Sequence, residues 1–231
     1  MSKILFVMTG VDHWTLADGT KHPTGFWAEE AVAPYEVFKA AGHEIVVATP
    51  DGVVPTVDKG SLAPEVNGGQ ERADKIAAAL ASITELHHPI TLEDVDLDDY
   101  AAVFYPGGHG PMEDLAVDST SGRILIDTLD SGKPLAVVCH APAALLAAEK
   151  ADGSNAFAGY RVAAFTNAEE SQAGFADKAK WLLETRLVEA GVQVQVGEPW
   201  APNVVVDRNL VTGQNPSSSA PLAVEVLKRL A

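Results

Sequence analysis

Short, almost continuous apolar runs alternate along this chain with longer amphipathic stretches, and that alternation leaves few architectures open. Residues 3–9, 44–48, 101–105 and 135–138 are runs in which nearly every side chain is apolar. A strand with no polar face is buried on both sides, which is the signature of a parallel sheet with helices on each face. The stretches between them have helical spacing. Residues 26–41 stop at Gly42, 119–131 at Gly132 and 178–190 at Gly191, and glycine is the residue that most readily ends a helix in the left-handed conformation. A helix is also expected over 141–149, and a closing one over 216–230. Shorter strands are expected at 192–196, 204–206 and 210–212. The pattern weakens from Asp51 to about Asp99, where prolines and glycines punctuate one helix over 70–86. That segment reads as a cap-like insertion lying over the sheet.

The 231 residues suit one such α/β domain, and a 47% hydrophobic content supplies its core. Acidic residues number 32 against 16 basic ones, a formal charge of −16. Nucleic acid and anionic membranes attract basic surfaces, so neither is expected as a partner. The first apolar run is too short for a signal-peptide core, and no run reaches the roughly 20 residues a membrane span needs. There is one cysteine, Cys139, which excludes an internal disulfide and any Cys-rich metal site. A lone thiol fits a reducing compartment, and a cytoplasmic location is expected.

Ligands of parallel α/β sheets sit beyond the carboxyl ends of the strands. Two predicted strand ends carry unusual residues. The run Leu135-Ala136-Val137-Val138 leads into Cys139-His140-Ala141-Pro142, which places the thiol at a strand-to-helix turn. A sharp turn of that kind projects a nucleophile into the crevice, and a helix N-terminus there would lower the thiol pKa. The plainer reading is an inert core cysteine. The neighbouring run Val103-Phe104-Tyr105 ends in Pro106-Gly107-Gly108-His109-Gly110, where glycines could present backbone N–H groups to an oxyanion or simply form a turn. A third element is Glu29-Glu30 early in the helix after the first strand. Glu29 reads as a solvated partner of the helix dipole. Glu30, one turn before Pro34 and flanked by small apolar residues, reads as a packed carboxyl with a raised pKa.

Taken in order, Glu30 four residues before Pro34, Pro106-Gly107-Gly108-His109-Gly110 and Val138-Cys139-His140-Ala141-Pro142 resemble the ThiJ/PfpI superfamily. Two further segments resemble its heat-shock-inducible chaperone/glyoxalase III branch. They are Phe165-Thr166-Asn167-Ala168-Glu169-Glu170, and Trp200 followed by the run from Asp207 to Pro216. The resemblance spans residue 3 to the C-terminus. It implies a flavodoxin-like three-layer sandwich, a class I glutamine amidotransferase-like fold and a homodimer. It also implies a triad of Cys139, His140 and Glu170, with Glu169 as a one-residue alternative for the acid. Glu30 would hydrogen-bond the thiol, and Gly107 and Gly108 would form the oxyanion site. Some members of the branch bind zinc through His and Glu. No matching cluster stands out here, since His87-His88 lies in the 51–99 segment and His13 near the first strand. No metal and no cofactor are therefore expected.

The activity implied is conversion of a small 2-oxoaldehyde such as methylglyoxal to a 2-hydroxy acid without glutathione, with protein deglycase or holdase activity as additions. The proton shuttle would be His140 or Glu30. Three rivals stand beside it. A glutaminase or amidase would place its His far downstream, whereas His140 is adjacent to Cys139. An oxidant sensor would hold a sulfinate at Cys139 against Glu30, but has no need of an acid at Glu170. A chaperone would need an exposed apolar patch.

Overall fold

A computed structural model of the chain describes residues 2–230. Its frame is a seven-stranded sheet built from β1 (Lys3–Val7), β4 (Glu44–Thr49), β5 (Ile90–Thr91), β6 (Tyr100–Tyr105), β7 (Leu135–Val138), β10 (Val204–Asp207) and β11 (Leu210–Gly213). The order is β10-β11-β7-β6-β1-β4-β5, and every pairing is parallel except that of β10 with β11. Ile4–Val7, Ala102–Tyr105 and all of β7 are buried, as strands covered on both faces must be. Helices α1 (Ala28–Ala40), α2 (Gln70–Ser82) and α6 (Ser219–Leu230) form one outer layer. The other layer holds α3 (Ser119–Ser131), the 3₁₀ segment Ala141–Ala147 and α5 (Leu183–Glu189). The architecture is the three-layer, flavodoxin-like sandwich. No helix among the described residues is long and apolar enough to cross a membrane.

Several differences from the sequence reading bear on the site. The helix of 26–41 starts two residues late because Phe26 and Trp27 are engaged elsewhere. Phe26 N–H donates to Thr56 O at 2.9 Å, and Trp27 N–H donates to Gly107 O at 3.0 Å. The helix expected over 178–190 begins only at Leu183, because the preceding turn is drawn aside and Lys178 O accepts the N–H of Ala17. That bond ties it to a hairpin that sequence reading missed, β2 (His13–Thr15) with β3 (Lys21–Pro23). Its signal was Asp18-Gly19, a dipeptide suited to tight hairpin turns, with Gly19 at φ 85°.

The 51–99 segment is built into the sheet edge rather than laid over the sheet. Ile90–Thr91 pairs with β4, and α2 packs on α1. The turn at 56–61 approaches the site. There Ser61 Oγ accepts the N–H of Ala28 at 3.0 Å, capping a helix whose own N-cap residue, Trp27, offers no side-chain acceptor. Two short strands, β8 (Arg161–Val162) and β9 (Gln193–Val194), and the helix α4 (Asn167–Gln172) complete the chain.

Candidate active site

The carboxyl ends of β6, β7 and β11 meet at Cys139. Its backbone is left-handed, φ 60°, a conformation that costs energy for any residue with a Cβ and persists only where neighbours enforce it. Two bonds do so: Cys139 N–H donates to Gly213 O, and Cys139 O accepts from Phe165 N–H, each at 2.9 Å. This is the sharp turn expected from sequence. The helix after it is not the one expected. Residues 141–147 wind as 3₁₀ helix, and Asn155 Nδ2 caps the end by donating to Leu145 O at 2.7 Å. The segment is squeezed between α3 and α5, and a Cβ on Gly122 of α3 would stand 2.1 Å from Ala147 O.

The electrostatics of the thiol differ accordingly. Sequence reading expected a helix dipole to lower its pKa, but Cys139 is 3% exposed and burial pushes the thiol up. Glu30 beside it pushes the same way when ionised, while the N–H of Gly108 opposes. Glu30 itself is fully buried. Its Oε2 accepts the N–H of Gly107 at 2.7 Å, and Oε1 has no hydrogen-bond partner. Burial raises its pKa from 4.5 to about 8, with the thiol and the Gly107 N–H pulling in the other direction. Glu30 is therefore mostly protonated at neutral pH and lies against the sulfur as an acid.

Of the two glycines that the resemblance assigns to an oxyanion site, Gly107 is already engaged. Both polar groups of Gly107 are committed, its N–H to Glu30 and its carbonyl to Trp27. Only Gly108 turns its N–H to the sulfur. Both positions still exclude a side chain. A Cβ on Gly107 would lie 2.5 Å from Val138 O, and one on Gly108, at φ 100°, would lie 2.5 Å from Gly25 O.

His140 Nδ1 lies 3.2 Å from Cys139 Sγ, and its Nε2 lies 2.8 Å from Glu170 Oε2. Burial opposes ionisation of Glu170, but the two imidazoles around it, His140 and His109, outweigh burial and hold the carboxyl well below the usual range. An ionised Glu170 accepts, so His140 donates from Nε2 and turns Nδ1 to the thiol. Glu169, the alternative acid, is used structurally. It forms a capping box with Thr166 at the start of α4, and its Oε1 accepts from Trp200 N–H at 2.8 Å and Asn215 Nδ2 at 2.9 Å. Thr166→Ala is expected to cost about 1 kcal/mol of stability in a urea titration.

Sequence reading gave no role to three residues that surround this array. His109 Nε2 lies 3.0 Å from Glu170 Oε1. Trp14, carried in by the hairpin, stacks on His109 at 4.5 Å and 11°. Phe175 packs against both rings. His109, His140 and Glu170 offer ligand-type atoms within 4.8 Å of one another. Each carboxylate oxygen is already paired with one imidazole nitrogen, and Nδ1 of His140 faces the thiol, so an ion bound between the three side chains would have to displace those pairs. His13 pairs instead with Asp12, and His87 lies exposed in a 3₁₀ turn at the sheet edge.

A thiol on a strand-to-helix elbow, backed by His and Glu and flanked by a buried carboxylic acid, defines a cysteine-centred α/β site. The chain belongs to the DJ-1/PfpI family, whose sequence pattern it matches over residues 23–229. It is 28% identical to Glyoxalase 3 of Candida albicans over 239 aligned positions, covering 98% of each chain. The crystal structure of glyoxalase III from Candida albicans superposes with a TM-score of 0.84 over 98% of this chain and 96% of that one. The Rapid Encystment Protein of 24 kDa from Francisella tularensis is 28% identical, with a TM-score of 0.86 and full coverage of both chains. The protein/nucleic acid deglycase HchA of Staphylococcus aureus is 26% identical, over 95% of this chain and 77% of that one.

Proposed function

We propose that the protein is a glutathione-independent glyoxalase of the glyoxalase III type, converting methylglyoxal-like 2-oxoaldehydes to 2-hydroxy acids. The observation that carries this reading is the buried thiol with a base on one side, His140 Nδ1 at 3.2 Å, and a protonated carboxyl, Glu30, on the other. Cys139 attacks the aldehyde carbon as His140 Nδ1 takes the thiol proton, and the imidazolium formed is stabilised by Glu170. The resulting hemithioacetal oxygen is stabilised by the Gly108 N–H beside the sulfur. The former aldehyde hydrogen leaves as a proton and a proton returns to the adjacent carbon. One carbon is thereby oxidised to a thioester and its neighbour reduced to an alcohol. Both transfers pass through His140 or Glu30, the two titratable groups against the sulfur. Water then cleaves the thioester and restores the thiol. The oxidation and reduction balance within the substrate, so the net reaction consumes one aldehyde and one water per hydroxy acid.

Burial of Cys139 favours a small free carbonyl compound over an adduct carried on a macromolecule, the substrate class in the name of the staphylococcal relative. It also weighs against an oxidant sensor, because a thiol held protonated reacts slowly with peroxide. The test is to incubate the protein with methylglyoxal without glutathione and follow lactate by proton NMR. Lactate is expected to appear mole for mole with aldehyde lost, over many turnovers. Aldehyde loss limited to one equivalent of protein, with no lactate, would mean adduct formation and not catalysis.

A further inference from the structure

We propose that His109 is a positioning residue of this site, holding Glu170 in the orientation that His140 requires, and that Trp14 in turn holds His109. The proposal rests on the functional reading above and extends it to residues that take no part in the chemistry. A carboxylate with one partner pivots about its last carbon–carbon bond. Glu170 has two partners from separate elements: Oε2 meets His140 Nε2 at 2.8 Å after β7, and Oε1 meets His109 Nε2 at 3.0 Å after β6. Two bonds to independent strand ends fix both the plane and the depth of the carboxylate. Without His109 one oxygen of a buried anion would lack a partner, and the carboxyl would turn or take up a proton to relieve it.

His109 is itself held as a ring between rings. Trp14 stacks on it at 4.5 Å and 11°, His140 lies 4.1 Å away at 42°, and Phe175 closes the edge at 5.2 Å. Since Glu170 is ionised, His109 donates from Nε2, and burial pushes the pKa of its imidazole down. The chain of contact from the surface hairpin to the nucleophile is therefore Trp14, His109, Glu170, His140, Cys139. An orienting group of this kind acts on the rate of the chemical step and leaves substrate binding largely untouched.

The decisive comparison is between His109→Phe, which keeps a flat ring under Trp14 but loses the donor, and His109→Gln, which keeps an N–H donor but loses the stack. With methylglyoxal as substrate, Phe is expected to lower kcat about 30-fold with KM within about 2-fold, whereas Gln stays within about 5-fold of the unsubstituted protein. A packing role alone would give the reverse order, with kcat following the thermal midpoints, and would overturn the proposal. If the Phe variant is insoluble, Trp14→Phe and His109→Gln carry the test. Trp14→Phe shrinks the stacked face and is expected to lower kcat about 3-fold at unchanged KM. Unaltered kcat there, or a Gln variant as inactive as Cys139→Ala, would overturn it. Turnover surviving in Cys139→Ala itself would sink the nucleophile reading instead, so the two failures are distinguishable.

Discussion

Cys139→Ala is expected to lower methylglyoxal turnover by about 10⁵-fold while leaving the fold in place, since loss of a nucleophile from a Cys-His-acid unit removes the covalent path altogether. The fold should survive for three reasons. Alanine carries the same Cβ, so the left-handed backbone at φ 60° is no more strained than before. The bonds that enforce the turn run through the backbone of Cys139 to Gly213 and Phe165. The sulfur is a single buried atom, and its loss costs about 1 kcal/mol. The thiol also favours ionised Glu30, so its removal leaves that carboxyl more firmly protonated. Circular dichroism and a thermal scan beside the lactate assay separate chemistry from folding. Turnover within 10-fold of the unsubstituted protein, with the fold intact, would remove Cys139 as the nucleophile.

The parts of this structure that were readable from sequence are those set by local pattern. The strand over 135–138 and the helix over 119–131 fall where the apolar runs and end signals put them. At the helix, Asp118 accepts the N–H of Ser121 at 2.7 Å and Gly132 closes the end at φ 74°. The run after Cys139 was misread because Ala141 to Ala148 is nearly featureless. A segment buried all round has no polar face to reveal its period, and its winding is imposed by α3 and α5. Glu170 could have been separated from Glu169 in advance. Thr166-Asn167-Ala168-Glu169 is a T-x-x-E capping box, which commits the first of the two acids to the helix start. The thiol's raised pKa could not be read, because desolvation depends on what covers the site. His109 was visible in the glycine motif, but its partner Trp14 arrives on a hairpin 95 positions earlier, and no local pattern connects the two.

Glu30→Gln is expected to give the largest pH-dependent change in stability. In the unfolded chain this carboxyl ionises near 4.5, whereas in the folded protein burial holds its proton to about 8. Between those values the unfolded state binds fewer protons than the native state, so native stability falls as pH rises. The favourable contribution is complete below the unfolded value and is lost as pH climbs through about 8. At 1.36 kcal/mol per pH unit the loss approaches roughly 5 kcal/mol, an upper bound because water penetration and relaxation soften it. Glu170, whose carboxyl is depressed, acts in the opposite sense and in a separate window. Its contribution is present above the ordinary carboxylate range and disappears under acid conditions. Glutamine cannot ionise, so the variant should gain on the unsubstituted protein steadily from about pH 5 to pH 8 and run parallel to it beyond. The geometry tolerates the change. The amide oxygen can accept the Gly107 N–H as Oε2 does now, which turns the NH₂ group toward the sulfur. Ground-state contacts are thus kept and proton transfer is lost, so kcat at neutral pH is expected to fall about 10³-fold with KM little altered. Urea titrations of both proteins at half-unit pH intervals, with kinetics alongside, measure the two effects separately. A stability difference that stays flat across pH 5–8 would mean Glu30 is ionised in the native protein. A near-normal kcat would assign the proton shuttle to His140 alone.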